Sequence, residues 1–257
     1  MILQGKTALV TGSTSGIGLG IAIELAKQGA NIVMNGFGDV DGAKAQISAQ
    51  DVKVEYQGAD MSKPAEIEDM MKSATAAFGG VDVLVNNAGI QFVSDVEDFP
   101  TERWDAIIAI NLSSAFHTTR LALPHMQQQK WGRIINIASV HGLVASAGKS
   151  AYVAAKHGLI GLTKTVALET AKTGVTCNAI CPGWVLTPLV QKQIDDRAAR
   201  EKISVEDATR ELLQEKEPSL KFTTPEQLGG LAVFFCSPAT DNVTGQSWAS
   251  DGGWSAQ

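Results

Sequence analysis

What this chain lacks narrows its function before any motif is read. No apolar run reaches the roughly 18 residues that a membrane-crossing helix needs, so no span is expected. No block of Lys and Arg interrupts a net charge of −6 and a pI near 5.2, which argues against nucleic acid or an anionic membrane as partner. Cysteine is scarce: Cys177, Cys181 and Cys236 are the full set. The first two stand four apart in an expected strand, too far for a disulfide, and the odd count with no pairing pattern reads as reduced, buried thiols in a cytoplasmic protein. No C-x-x-C or H-E-x-x-H spacing occurs, so no metal is expected. The opening MILQGKTALVTG enters a strand directly, with neither a charged leader region nor a cleavage site.

What is present suits a globular enzyme. Hydrophobic residues make up 44% and charged residues 19% of 257, enough for a sizeable core. Short apolar segments alternate with helical periodicity along the chain. Strands are expected at 7–11, 31–35, 52–57, 81–86, 133–139, 175–181 and 245–250. Helices are expected at 17–28, 41–50, 64–80, 101–129 (bent near Pro124), 149–172 and 225–236. Strands that are apolar rather than alternating belong to a parallel sheet buried on both faces. The fold class is therefore α/β, a single Rossmann-type doubly wound domain over 1–257 with a seven-stranded parallel sheet. One stretch breaks the alternation. Residues 186–220 are charge-rich and helical but carry no strand, which suits a helical lid over the C-terminal edge of the sheet.

The first strand–helix turn reads Thr11-Gly-Ser-Thr-Ser-Gly-Ile-Gly18. Glycines there let backbone N–H groups approach a pyrophosphate at a helix N-terminus, in a G-x-x-x-G-x-G variant of the dinucleotide fingerprint. An NADP 2′-phosphate needs cations nearby, yet Ser13, Thr14, Ser15 and Asn35-Gly36-Phe37-Gly38 supply none. NAD is the expected cofactor. Asp39 stands one or two positions late for a ribose ligand and reads equally well as a solvated turn aspartate.

Further along, Ser139 follows an apolar strand, and Tyr152 and Lys156 stand four apart on the next expected helix, one turn apart on one face. A phenol with an ordinary pKa near ~10 needs a neighbouring ammonium to work as a base at neutral pH. Ser139, Tyr152 and Lys156 thus suit a proton shuttle on a hydroxyl or carbonyl.

Together, Thr11-Gly12-x-x-x-Gly16-x-Gly18, Asn86-Asn87-Ala88-Gly89, Asn111, Ser139, Tyr152-x-x-x-Lys156 and Pro182-Gly183 resemble the short-chain dehydrogenases/reductases from about Lys6 to Gly253. The resemblance implies that Tyr152 is the acid/base, that Lys156 lowers its pKa and holds the nicotinamide ribose, that Ser139 binds the reacting oxygen, and that Asn111 keeps a water linking Lys156 to solvent. It implies a cofactor site of Gly12, Thr14, Ser15, Gly16, Ile17, Gly18, Phe37, Asp60, Met61, Asn87, Ala88, Gly89, Tyr152, Lys156, Pro182, Gly183, Val185 and Thr187. It also implies a homotetramer built through the long helices and the C-terminal segment.

Pocket candidates on the loops around Tyr152 are Gln91, Ser139, His141, Lys149, Trp184, Leu189 and Gln193. A cation, amide donors and a bulky wall suit a short carboxylate with a small alkyl end. His117, His125 and His157 read as helix-packing or surface residues. The segments NGFGD (35–39), NNAGIQ (86–91), EDFPTERWDAI (97–107), SVHGLVASAGKSAYVAAKHG (139–158), ICPGWVLTPLV (180–190) and DGGW (251–254) resemble the bacterial branch of that family that oxidises (R)-3-hydroxybutyrate with NAD. In that branch Gln91, His141, Lys149 and Gln193 would bind the carboxylate beside Ser139 and Tyr152, with Trp184 and Trp254 near the methyl end. Val140 and Gly148 depart from the expected Ala and Asn. A 3-oxoacyl-thioester reductase or a polyol dehydrogenase is the alternative within the family; a non-catalytic dinucleotide sensor should lack one of Ser139, Tyr152 or Lys156.

Overall fold

Runs such as Thr7–Val10 and Val83–Asn86 are short, apolar and buried along their whole length, so each strand needs cover on both faces. A computed structural model describes residues 1–256 and shows how that cover is arranged. The strands are β1 (Thr7–Val10), β2 (Asn31–Asn35), β3 (Val54–Gln57), β4 (Val83–Asn86), β5 (Gly132–Ile137), β6 (Val175–Pro182) and β7 (Ser247–Ser250). They form one parallel sheet in the order β3-β2-β1-β4-β5-β6-β7. The order reverses between β1 and β4, which opens a crevice beyond their C-terminal ends.

The helices are α1 (Gly16–Lys27), α2 (Val40–Ser48), α3 (Pro64–Phe78), α4 (Thr101–Ile108), α5 (Ser114–Gln128), α6 (Ser150–Thr170), α7 (Pro188–Glu201), α8 (Val205–Gln214) and α9 (Pro225–Phe235). One apolar layer joins Ile21, Ala22 and Leu25 of α1 and Leu228, Ala232 and Phe235 of α9 to the sheet. The other joins Ile67 and Met70 of α3, Ala122 and Met126 of α5 and Val166 of α6 to the opposite face.

The long helix expected over 101–129 is present, and it carries an irregularity that the sequence did not announce. The helix continues through Pro124, and Ala109–Ser113 winds as a π segment between α4 and α5. Proline removes only one amide donor, while a π segment re-aims a whole turn of side chains. Asn111 lies in that turn.

Residues 186–220 do form the expected helical insertion, α7 and α8. Val190, Ile194, Ala198 and Ala208 pack together there, with Trp184, Ile203, Leu212 and Phe222 around them. This small core stands apart from the two layers on the sheet.

Candidate functional site

The glycine turn after β1 is held from outside by side chains. The Thr11 hydroxyl accepts the backbone N–H groups of Asn87 and Ala88, both at 3.0 Å. The Asn87 amide donates to the carbonyls of Thr11 at 2.8 Å and Gly12 at 3.1 Å. Asn35, at the end of β2, donates to Gln57 O and Ala59 O at 3.0 and 2.9 Å. Gly18 must be glycine, because a Cβ there would lie 2.3 Å from Gly12 O. Asn87 is therefore a brace of the turn, with its amide already committed.

This turn fits a dinucleotide. α2, α7, α8 and α9 each begin with a side chain that caps them, from Asp39, Thr187, Ser204 and Thr224. α1, like α3, α4 and α6, has no such cap: Ser15 makes no capping bond, so the first-turn N–H groups at Gly16, Ile17 and Gly18, beside the glycine turn, have no side-chain acceptor. Thr14 donates to Phe37 O at 2.6 Å and fixes the loop beyond β2, on which the Phe37 side chain is 68% exposed. No Lys or Arg stands on either loop. Asp39 is explained locally, since it accepts from Gly42 N at 2.9 Å and caps α2. At the end of β3, the Asp60 carboxylate accepts from Ser62 N and Ser62 Oγ, which hold its pKa below the usual value, with Met61 buried beside it.

On the other side of the crevice, α6 brings Tyr152 and Lys156 onto one face below Ser139. The Lys156 ammonium is 3% exposed, donates to Ile137 O at 2.7 Å and lies 5.6 Å from the centre of the Tyr152 ring. Burial brings its pKa down to about 8. The sequence argued that this ammonium lowers the Tyr152 pKa, but without a bound cofactor the opposite direction holds. Burial pushes the phenol up, the neighbouring Ser139 hydroxyl pulls it down by less, and the ammonium is turned to a carbonyl. Asn111 also differs from expectation. Its side chain is spent on the loop after β4, accepting from Ile90 N at 2.8 Å and donating to Ile90 O at 2.9 Å. It braces that loop with its side chain.

His141 is buried at 5% exposure. Its Nδ1 is 3.4 Å from Ser139 Oγ and its Nε2 is 2.9 Å from Ser146 Oγ. Its ring stands edge-on to Tyr152 at 5.9 Å and to Trp254 at 5.2 Å. Burial, helped by the charges of Lys149 and Lys216, lowers its pKa to about 4, so the imidazole is neutral. Lys149 is half-buried, and burial with the nearby Lys216 lowers its pKa. Trp184 lies under α7, while Gln91 and Gln193 are exposed on the loop after β4 and on α7. The structure thus brings Ser139, His141, Tyr152, Lys156 and Trp254 together, and leaves Gln91 and Gln193 outside that cluster. Pro182 and Gly183 close β6; Val185 is buried beyond them, and Thr187 caps α7 with its methyl over Gly16. Leu189 is 68% exposed on α7. Of the remaining histidines, His125 faces Asp82 at 3.5 Å, His117 packs edge-on against Phe116, and His157 meets Val153 O at 3.0 Å.

Ser146, Lys216 and Glu217 were missed by the sequence reading. Lys216 and Glu217 sit in a stretch without a motif, Ser146 is an unremarked serine within 139–158, and only the fold carries the three to the site. Gly148 is explained: its φ of +72° is a left-handed conformation that glycine and asparagine share, and its carbonyl accepts from Ser94 N at 2.9 Å.

Known proteins resemble this chain over nearly its whole length. D-beta-hydroxybutyrate dehydrogenase of Cupriavidus necator is 70% identical over 258 residues, covering 100% of both chains. The protein of the same name from Rhizobium meliloti is 57% identical, covering 98% of this chain and 99% of its own. Among solved structures, levodione reductase superposes with a TM-score of 0.90 at 30% identity over 99% of both chains. A variant of actinorhodin polyketide ketoreductase with NADPH superposes at 0.91 and 32% over 98% of both. The short chain dehydrogenase family matches residues 6–198, and with the crevice, the uncapped α1 and the Ser139–Tyr152–Lys156 set already in place, this chain belongs to that family.

Proposed function

We propose that this protein is an NAD-dependent dehydrogenase that interconverts (R)-3-hydroxybutyrate and acetoacetate. The observation that carries this reading is the pairing of an apolar, aromatic-walled proton-transfer site with an unpaired lysine at its rim. Trp254, His141 and Tyr152 form the wall, and Lys149 supplies the charge. A polyol substrate would leave Lys149 without a partner. The 70% identity to the Cupriavidus necator enzyme supports the same substrate.

The residues divide the work as follows. Gly12, Thr14, Ser15, Gly16, Ile17 and Gly18 hold the pyrophosphate. Phe37, Asp60 and Met61 hold the adenosine end. Asn87, Ala88, Gly89, Pro182, Gly183, Val185 and Thr187 line the path to the nicotinamide. The bound nicotinamide supplies the hydride acceptor and, when oxidised, a positive charge. Ser139 donates to the reacting oxygen, and the Tyr152 hydroxyl exchanges its proton. Tyr152 needs help, because burial alone holds the phenol neutral. Lys156, with its pKa near 8, would help to move it toward the phenolate, and the positive charge of a bound oxidised nicotinamide would add to that pull. Gln91, His141, Lys149 and Gln193 orient the carboxylate, with Trp184 and Trp254 against the methyl. Gln91 and Gln193 start exposed, and Gln193 comes inward toward Gln91 as α7 and α8 close as a lid.

A cytoplasmic homotetramer is part of the same reading. The exposed apolar side chains of Phe116 on α5 and Leu168 on α6 suit subunit contacts, and among the described residues no helix is long and apolar enough to cross a membrane. The deciding assay follows NAD reduction with (R)- and (S)-3-hydroxybutyrate, repeated with NADP. Turnover confined to the R form with NAD is expected. Equal turnover of both enantiomers, or none, overturns the substrate; faster reaction with NADP overturns the cofactor.

A further inference from the structure

Lys216 stands just past α8, in the charge-rich insertion, and nothing in the motif pattern singles it out. Its ammonium lies 5.8 Å from the centre of the Trp254 ring. That ring is 5.2 Å from His141, which is 5.9 Å from Tyr152, so Lys216 is two rings away from the reacting position. The chain approaching it is well anchored. Lys216 N bonds Leu213 O at 3.1 Å, and the next residue, Glu217, is 1% exposed and accepts the backbone N–H of Trp184. Glu217 thus ties the end of α8 to the loop after β6.

Lys6, Lys27, Lys63, Lys72 and Lys192 are all ion-paired. The remaining lysines, Lys149 and Lys216 among them, have no carboxylate partner among the described residues; what sets these two apart is their place, Lys216 over the Trp254 ring and Lys149 at the start of α6, both near enough to act on His141. Each is close enough to act on the same neighbour, since both charges depress the His141 pKa, and Lys216 depresses that of Lys149. Two mutually repelling cations beside an aromatic wall are relieved when one carboxylate settles between them.

We propose that Lys216 is a specificity-determining residue, the second cation of the substrate-carboxylate site, delivered by the α7–α8 insertion opposite Lys149. This rests on the carboxylate reading above. It separates the two halves of the clamp: Lys149 on the rigid start of α6 fixes where the carboxylate sits, and Lys216 closes over it and couples substrate charge to closure.

The test compares Lys216→Met and Lys216→Arg with the unaltered enzyme. Because Lys216 is exposed, neither replacement disturbs the core. Steady-state rates are measured with 3-hydroxybutyrate and its neutral methyl ester. In parallel, tryptophan fluorescence follows titration with acetate or with neutral acetamide in the presence of NAD. Lys216→Met should raise the KM for the acid about tenfold, leave kcat within about twofold and leave the ester unchanged; Lys216→Arg should restore most of the loss. Acetate binding should weaken to the same degree and acetamide binding not at all. An unchanged KM for the acid and unchanged acetate affinity overturn the proposal, as does an equal loss on acid and ester, which would make Lys216 only a prop for Trp254. If the unaltered enzyme fails to turn over 3-hydroxybutyrate, the substrate reading falls while the acetate titration still decides the role of Lys216.

Discussion

The two sides of the crevice are built on opposite plans. On the β1–β3 side the binding surface is backbone, and side chains such as Thr11, Asn35 and Asn87 are used up in shaping it. On the β5–β7 side the surface is side chain: Ser139, His141, Tyr152, Trp254 and the two lysines, gathered from separate stretches. A dinucleotide presents the same phosphates whatever the reaction, so a fixed backbone cradle serves it. A small substrate must be distinguished from its relatives, and that is done by placed charges and ring edges.

This contrast can be broken by substitution. Tyr152→Phe should reduce turnover by at least about 10³-fold while NAD binding, followed by fluorescence titration, stays within about threefold. Retained turnover would remove Tyr152 from proton transfer. Burying a neutral His141 should next make the substrate side acid-labile. Its folded pKa of about 4 lies below the ordinary 6.5, so the unfolded chain binds more protons between those values. Stability should therefore rise with pH across that window and level off above it, by about 3 kcal/mol in total. Denaturant unfolding of His141→Gln against the parent should show the slope flattened; parallel curves would mean that His141 does not carry it.

On the cradle side, Asn87→Ala leaves the Thr11 and Gly12 carbonyls without their donor. A loss of about 1–3 kcal/mol in stability is expected, together with weaker NAD binding and an unchanged KM for substrate. A substrate effect larger than the NAD effect would contradict the division between the two sides. The smallest change is at Phe37, where the side chain is bare. Phe37→Arg should improve kcat/KM with NADP about fivefold and leave thermal stability unaltered. No gain with NADP would show that more than a missing cation sets the preference.

Legibility in sequence followed the same divide. The strand–helix alternation, the glycine turn and the Tyr152/Lys156 spacing are local patterns, and each appears in the fold where the sequence placed it. The π segment at Ala109–Ser113 was not legible, because its registry is set by packing and by Asn111 reaching Ile90. Ser146 and Glu217 were equally silent. A serine in a loop and a glutamate just past a charged helix carry no signal until His141 and the Trp184 amide come against them.

Sequence alone determined the layering of the sheet, the uncharged nucleotide loops and the residue types available for proton transfer, because periodicity, glycine spacing and charge are properties of neighbouring residues. Tertiary structure decided their states. It desolvated Tyr152 and Lys156 so that their pKa values move in opposite directions, made His141 neutral, committed the Asn87 and Asn111 side chains to bracing neighbouring loops, and set Lys216 over the Trp254 ring. Desolvation and the approach of distant charges exist only once the chain has closed on itself.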